Sequence, residues 1–255
     1  MNRLVRLAFA GFGAMTAFIP VAHAAVIYDT SLAAPGVYFG SGNSGQNFGW
    51  TVNTFDSIEL GLTTVQRKVG GLTPTTSNIY NVQLGADPTQ STRAWWNFNF
   101  SVNLQAAGDT GLHLSDVTGN VTVVNMLNNQ SISGDPLTLF PDSDGYSSAG
   151  KDAGHASVNK SADYAYQNSE NLTFGQFAPL AFDMNQNDTY MVTLSLLNLA
   201  GQTLGSVNEY IVAGTGGGVT IPVAVPQPGT LPLFASGLVA LGLLGWRRKK
   251  KLASV

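Results

Sequence analysis

The sequence predicts an all-β protein whose main domain is an antiparallel β-sandwich or jelly-roll. The first observation is that charged residues make up only 11% of the 255 residues, against about 25% in an ordinary soluble domain. Asn, Ser, Thr, Gly and Gln carry the polarity instead, and this mix suits strands and turns better than helices. The second observation is that several short segments alternate apolar and polar residues and are separated by turn residues, as in sandwiches and barrels.

The clearest strand lies between Trp95 and Leu104. Its apolar side chains alternate with polar ones, in the order Trp96, Asn97, Phe98, Asn99, Phe100, Ser101, Val102, Asn103 and Leu104. Successive side chains of a strand point to opposite faces of the sheet. We therefore expect the aromatic face to lie in the core, and Asn97 and Asn99 to face water or a neighbouring loop.

Other segments with strand character follow the same reasoning. They are residues 56–69, 78–84, 117–127, 189–199 and 203–213. Ala200-Gly201-Gln202 separates the last two, which predicts a β-hairpin. Residues 149–168 have weaker strand character and predict a short helix or a long loop. Glu59 and Glu209 lie in predicted strands, and we expect both on the solvent face of a sheet.

The N-terminal end has the layout of a secretory signal peptide. Arg3 and Arg6 precede an apolar stretch at residues 7–21, and Ala22 and Ala24 supply small residues at the −3 and −1 positions. This pattern predicts cleavage after Ala24, so that residues 1–24 are removed. The exported domain is then expected to span residues 25–213.

The C-terminal end combines a linker, a Pro-rich motif, an apolar run and a basic cluster. Residues 214–224 are rich in Gly, and the motif that follows is Val225, Pro226, Gln227, Pro228 and Gly229. Residues 231–246 are apolar and have about the minimum length of a transmembrane helix. The cluster of Arg247, Arg248, Lys249, Lys250 and Lys251 comes next, and positive charge at this place holds the end of a membrane helix in the cytoplasm.

Residues 225–251 resemble the PEP-CTERM sorting signal. That family has Val-Pro-Glu-Pro, an apolar helix with a Gly-Leu pair, and a terminal basic cluster. Here Gly237 and Leu238 form the pair, and Gln227 stands where the family usually has Glu. The resemblance implies an exosortase-type processing enzyme as partner, transient anchoring in the inner membrane, and final location at the cell surface or outside the cell. It also implies a bacterium that makes exopolysaccharide.

Parts of the middle domain resemble uncharacterised proteins that carry the same tail. The resembling segments are residues 95–100, 162–164 and 167–169, together with the last predicted hairpin. They bring no known activity with them.

Charge and composition exclude several classes of function. Seven of the 12 basic residues lie at the two ends and all 15 acidic residues lie between them, which leaves the middle with five basic residues and a formal charge of −10. Such a domain repels a phosphate backbone, so we expect no nucleic-acid partner. The chain has no Cys, which excludes disulfides and Cys nucleophiles.

Two acidic loops predict at most a calcium site, and no other cofactor is expected. Asp142 and Asp144 place two carboxylates one residue apart and are the better candidates. The loop from Asp183 to Asp188 resembles the start of an EF-hand, but Leu194 stands where that loop needs Glu. Asp and Asn are also ordinary turn residues.

We therefore expect a non-enzymatic structural or adhesive protein of the cell surface or its matrix. A carbohydrate-binding module, or less readily an ice-binding one, is the alternative, with Trp50 and Trp95 as candidate sugar contacts. A secreted hydrolase is the second alternative. His113 and His155 stand alone in the sequence and do not form a recognisable metal or catalytic pair.

Overall fold

The computed structural model describes residues 25–39, 46–75, 77–152 and 158–222. The chain divides into two compact units, Met1–Val219 and Thr220–Val255, and the strands described below all belong to the first. The predicted signal peptide, sorting motif, transmembrane helix at 231–246 and basic cluster lie outside the described residues. Within those residues, no helix is long and apolar enough to cross a membrane.

About half of the described residues lie in strands and few lie in helices, which confirms the all-β prediction. The strands are β1 (Ala25–Thr30), β2 (Trp50–Phe55), β3 (Ile58–Gln66), β4 (Gly70–Gly71), β5 (Ile79–Val82), β6 (Ala86–Asp87), β7 (Gln90–Ala94), β8 (Trp96–Asn103), β9 (Val117–Asn125), β10 (Gln130–Gly134), β11 (Asp144–Ser147), β12 (Gly150–Lys151), β13 (Ala165–Glu170), β14 (Asp188–Asn198) and β15 (Thr203–Ala213). The helical residues are α1 (Pro136–Leu139) and three 3-10 turns, Leu114–Asp116, Gly175–Leu180 and Gly216–Gly218.

Two sheets account for most of these strands. The first has the order β1-β2-β3-β8-β13-β11-β12, with β4 added beside β3, and the second has the order β10-β9-β14-β15-β5. Neighbours are antiparallel except β15 and β5, which are parallel. The predicted hairpin is confirmed as β14 and β15, whose register runs from Asp188 opposite Ala213 to Leu197 opposite Thr203.

The core lies between the two sheets. The inner face of β8 contributes Phe98 and Phe100, which the second sheet meets with Val192 and Leu194 from β14; all four are fully buried. Phe98 packs edge-on against Phe177 with ring centroids 5.9 Å apart. The alternation seen in the sequence therefore places the aromatic side of β8 in the core, as predicted.

The polar face of β8 is not exposed to water. Asn97 and Asn99 are fully buried; Asn97 accepts from the Arg67 guanidinium at 3.3 Å, and another segment of chain lies across the part of the outer face that carries Asn103. We call residues 31–39 the cover segment. Of the two surroundings expected for these asparagines, the structure has the neighbouring loop.

Two further predictions about the strands are wrong. Glu59 is buried under the cover segment, and Glu209 is buried between the sheets opposite Val192, so neither lies on a solvent face. Residues 149–168 include β12 and the start of β13, and the described residues between these strands, 152 and 158–164, lie in neither a strand nor a helix. Strand β13 pairs with β8 over six residues, and this partnership, rather than its own propensity, fixes it as a strand.

Candidate functional site

The outer face of the first sheet is a layer of side-chain amides that hold the backbone of the cover segment. The Asn103 side-chain amide donates to the carbonyl of Ala34 at 2.8 Å. Gln167 donates to the carbonyl of Gly36 at 2.8 Å and accepts from the backbone N–H of Tyr38 at 3.0 Å. Irregular backbone inside a protein needs such partners for its polar groups, so these amides are what allow a loop to lie on a sheet.

Glu59 fastens the start of the cover segment. Both of its carboxylate oxygens accept from the backbone N–H of Ala33, at 3.1 and 3.0 Å. Burial raises the pKa of Glu59, and the hydrogen bond from Ala33 opposes that shift. The carboxyl group is therefore a structural acceptor.

An apolar cluster under the cover segment explains two of the tryptophans. Leu32 packs with Trp50 and Val52, all buried. A Cβ at Gly61 would come within 2.6 Å of Leu32 Cδ2 and 3.0 Å of Trp50 Cε3, so glycine is needed for this close approach. Trp50 is enclosed here and Trp96 in the main core, which leaves Trp95, half-buried between β7 and β8, as the partly accessible one among the three described tryptophans.

The structure gives Asp142 and Asp144 different partners. Asp142 is exposed and accepts from the side-chain amide of Asn168 at 2.9 Å, whereas Asp144 is buried and forms an ion pair with Lys151 at 3.1 Å. The same Lys151 ammonium donates to the carbonyl of Tyr38. In the described part of the chain, no group of three or more histidine and carboxylate side chains is arranged to hold a metal ion.

Glu170 is a carboxyl group that the sequence analysis did not single out. It is 1% exposed and accepts from the side-chain amide of Gln176 at 3.1 Å. Burial first, and then the charge of Asp142, raise the pKa of Glu170 well above the ordinary value. A carboxyl group enclosed in this way is a buried hydrogen-bonding group.

A surface pocket of about 390 Å³ lies beside the 3-10 turn at Gly175–Leu180. Its apolar lining includes Phe174, Phe182 and Met184, which are half-buried, and its polar lining includes Asp183 and Asn185. Phe182 packs on the core through Trp96, with ring centroids 5.8 Å apart. The volume lies within the range of small-molecule sites.

The predicted histidines do not meet in the described structure. His113 is half-buried beside the turn at Leu114–Asp116, and its backbone N–H donates to Asp116 Oδ2 at 2.8 Å. His155 lies outside the described residues. The Asp183–Asp188 loop makes an ordinary turn contact, in which Asp183 accepts from the backbone N–H of Asn185 at 2.9 Å.

Sequence reasoning missed the cover segment and the pocket. The cover segment has a detectable signal, because Leu32, Val37 and Phe39 are apolar residues within a short stretch that also contains Ala-Pro-Gly at residues 34–36. The pocket has none, since its walls come from β7 and from the chain between β13 and β14.

One comparison with known proteins identifies the C-terminal residues. The family model of the PEP-CTERM protein-sorting motif matches residues 224–249. The match confirms the predicted resemblance and covers 26 of the 255 residues. Among curated proteins, none matches the chain.

Proposed function

Because the chain carries a PEP-CTERM protein-sorting motif at residues 224–249, we propose that it is an exported structural or adhesive protein. In this proposal an exosortase-type enzyme processes the tail, and residues 25–213 remain at the cell surface or in the exopolysaccharide around it. The protein acts there by attachment and not by catalysis. The sorting motif is the observation that carries the proposal, since it indicates an exported protein that is processed at a membrane.

The construction of the domain supports an attachment role. Both faces of the first sheet are covered, so its three central strands, β3, β8 and β13, are buried almost throughout. The carboxyl groups of Glu59, Glu170 and Glu209 are buried, and each accepts a hydrogen bond from within the domain. A domain with this much internal hydrogen bonding suits a durable surface component.

The test uses the full chain in a bacterium that processes such tails. Wild-type chain is compared with a variant in which Pro226, Gln227 and Pro228 are replaced by Ala. We expect the wild-type chain to reach the surface with Ala25 as its first residue and to restore attachment of cells lacking it. The variant should stay in the membrane fraction and should not restore attachment of these cells. Unchanged attachment in cells that lack the chain altogether would contradict the proposal.

A carbohydrate-binding role is the second candidate, and the pocket beside the 3-10 turn favours it. Aromatic rings offer an apolar face to a sugar ring, and Asp183 and Asn185 offer hydrogen-bonding groups at the same opening. The volume of about 390 Å³ suits one or two sugar units. Arg93 stacks on the Phe174 ring at 4.5 Å and would hold that ring in place.

Titration of the full chain with the neutral disaccharides cellobiose, maltose and lactose tests this second role. Under it, at least one sugar perturbs tyrosine or tryptophan fluorescence, and Asn185→Ala weakens the effect. The matched control is Asn81→Ala, because Asn81 is exposed on β5 and away from the pocket lining. Equal responses from the two variants would contradict the assignment of the pocket.

A further inference from the structure

The outer face of the second sheet is open to solvent, unlike that of the first sheet. Along β9, buried residues alternate with half-buried or exposed ones, and β14 shows the same alternation from Tyr190 onward. The buried members, such as Val121 and Val192, belong to the core. The residues between them therefore point away from the core, and their exposure shows that the described chain leaves them accessible.

Two rows of hydroxyl and amide side chains cross this face from strand to strand. The first row consists, in order across β10, β9, β14 and β15, of Ser133, Thr122, Thr193 and Asn208. The second row consists, in order across β9, β14 and β15, of Asn120, Ser195 and Ser206. Neighbouring strands are about 4.8 Å apart, so the first row is about 14 Å long. We call these residues the polar rows.

The side chains at one end of the polar rows hold each other in fixed positions. The hydroxyl groups of Thr122 and Ser133 form a hydrogen bond of 2.8 Å, and Ser133 donates to Asn120 Oδ1 at 3.2 Å. The Asn120 amide donates to Thr122 at 3.3 Å. At the other end, three hydroxyl groups have no hydrogen-bond partner in the described part of the chain, namely those of Thr193, Ser195 and Ser206. The rows thus offer donors and acceptors that a ligand can use.

No charged side chain points outward from these four strands. Residues 25–213 contain 15 acidic residues and five basic ones, but each lies outside the four strands or, like Glu209, faces the core. The outward residues beside the rows are instead apolar, with Val124 and Met191 on one side and Leu197 on the other. Such a face gives a charged partner nothing to pair with, and the formal charge of −10 on the domain repels a polyanion. The partner that fits is uncharged.

A flat uncharged face of this kind suits a polysaccharide better than a small molecule or a protein. Small-molecule sites are concave, whereas this surface is a sheet. Protein interfaces depend on aromatic and Arg anchors, but Tyr210, the one aromatic residue at an outward position of the four strands, is only 7% exposed. Sugar hydroxyls can bond to Ser, Thr and Asn side chains, and the apolar ring faces of sugars can pack on Met191 and Leu197.

We propose that the polar rows bind a neutral linear polysaccharide that lies across β10, β9, β14 and β15. The inference rests on the proposed attachment role and names the partner to which the protein attaches. Each hydrogen bond to an exposed hydroxyl adds little free energy, so binding requires many successive sugar units on the same polymer. A disaccharide should not bind here measurably, which separates this face from the pocket beside Gly175–Leu180.

Co-sedimentation of the full chain with insoluble polysaccharides tests the proposal. The chain is kept in a polyoxyethylene detergent, which carries no sugar, and is mixed with cellulose, curdlan or mannan, or with calcium alginate as the anionic polymer. We expect saturable binding to at least one of the neutral polymers and no binding to alginate.

Variants of the central strand β14 locate the binding surface. Thr193→Val keeps the shape of the side chain but removes its hydroxyl, and it should weaken binding about 2–10-fold. Ser195→Lys puts a long charged side chain into the second row and should abolish binding. The matched control is Ser91→Lys, because Ser91 is exposed on β7, outside both large sheets, and this variant should bind as the wild-type chain does. Asn185→Ala in the pocket should also leave binding unchanged.

Binding to none of the neutral polymers, or equal binding by the wild-type chain and Ser195→Lys, would overturn the proposal. Loss of binding in Asn185→Ala alone would place the sugar in the pocket and would overturn it as well. So would a change of oligomeric state in Ser195→Lys, measured by light scattering, because this face would then be a contact between copies of the chain. The attachment role has its own test in cells, since cells that lack the chain should lose attachment even if no polysaccharide binds.

Discussion

The two faces of β8 are equally buried, but one carries apolar side chains and the other carries polar side chains. The inner face carries Phe98 and Phe100 and packs against aromatic rings of the core. The outer face carries Asn97, Asn99 and Asn103, of which Asn103 bonds to the cover segment, and these side chains are also almost completely inaccessible. The same strand therefore contributes to a hydrophobic layer on one side and to a hydrogen-bonded layer on the other.

The difference shows what each face requires to be stable. Apolar burial is non-directional and depends on area and close packing. A buried amide costs free energy unless its donor and acceptor find partners. Asn97 finds them, because it donates to Ser169 at 2.8 Å and accepts from Asn171 at 2.7 Å. Asn99 does not, since neither polar atom of its side chain has a partner among the described residues.

The inner face should show the largest mutational effect. Phe98→Ala removes a fully buried ring that packs on Phe140 and Phe177. The expected loss is about 3–5 kcal/mol of unfolding free energy, measured by denaturant titration. Phe48→Ala is the matched control, because Phe48 is 46% exposed. Similar losses from the two variants would show that the inner face is not the core.

Replacement of Gln167, whose side-chain amide holds the cover segment, should give the next largest loss of stability. Gln167→Ala removes the partner of the Tyr38 N–H, the Gly36 carbonyl and the Ser101 hydroxyl. Leaving these buried groups unpaired should cost about 2–3 kcal/mol. Native-state hydrogen exchange should also show faster exchange at Tyr38. Gln83→Ala, at an exposed position, should change neither measurement, and normal protection of Tyr38 in Gln167→Ala would count against this attachment.

The buried acid between the sheets gives a pH effect of intermediate size. Burial raises the pKa of Glu209 well above its ordinary value of 4.5, and a hydrogen bond from Thr64 opposes the shift. Below about pH 4.5 both folded and unfolded states are protonated, so the group costs nothing. Above it the unfolded state releases the proton first, and stability falls by up to about 1.4 kcal/mol per pH unit until the folded pKa is passed.

Comparison of the wild-type chain with Glu209→Gln isolates that contribution. Between pH 5 and 8 the unfolding free energy of the wild-type chain should fall more steeply than that of the variant. This range avoids Asp87, whose pKa the Arg67 guanidinium holds at about 2. Parallel pH profiles for the two proteins would mean that Glu209 is not buried between the sheets.

Asn99 should show the smallest effect and thereby sharpen the comparison. Asn99→Ala loses some packing but removes an amide that is buried without partners, so the two terms offset each other. The net change should stay within about 1 kcal/mol. Asn97→Ala should cost about 1–3 kcal/mol more, because it removes the hydrogen bonds of Asn97 with Ser169 and Asn171. Equal losses in denaturant titration would indicate that Asn99 has partners after all.

Periodicity predicted the strands of the main core well. The segment at residues 95–104 became β8, and the segments at 189–199 and 203–213 became the hairpin of β14 and β15. Each of these strands has a single buried apolar face, so the alternation of apolar and polar residues in the sequence identifies that face. Strand β13 was missed because both of its faces are buried and its residues, including Gln167 and Asn168, are mostly polar.

The environment of the carboxyl groups could not be predicted from the same patterns. Glu59 alternates with the apolar Ile58 and Leu60 as a solvent-facing residue does, whereas Glu209 shares its strand face with the apolar Val207 and Ile211, and only its charge suggested exposure. Their burial depends on a cover segment and a second sheet that come from distant parts of the chain. Asp152 and Asp163 both approach Gly145 of β11, and this approach likewise depends on the pairing of β11 with β12 and β13. The sorting motif, by contrast, was recognisable in the sequence because its residues are contiguous.

The cover segment also has a consequence for the order in which the domain folds. It is synthesised near the beginning of the exported domain, yet the N–H of Tyr38 bonds to a side chain 129 residues later. Contacts at such separation form slowly, because a long loop must close before they are made. Tyr38 therefore cannot make this bond before Gln167 has been synthesised. The cover segment is fixed to the sheet late, although β1 just before it can pair with β2 as soon as both strands exist.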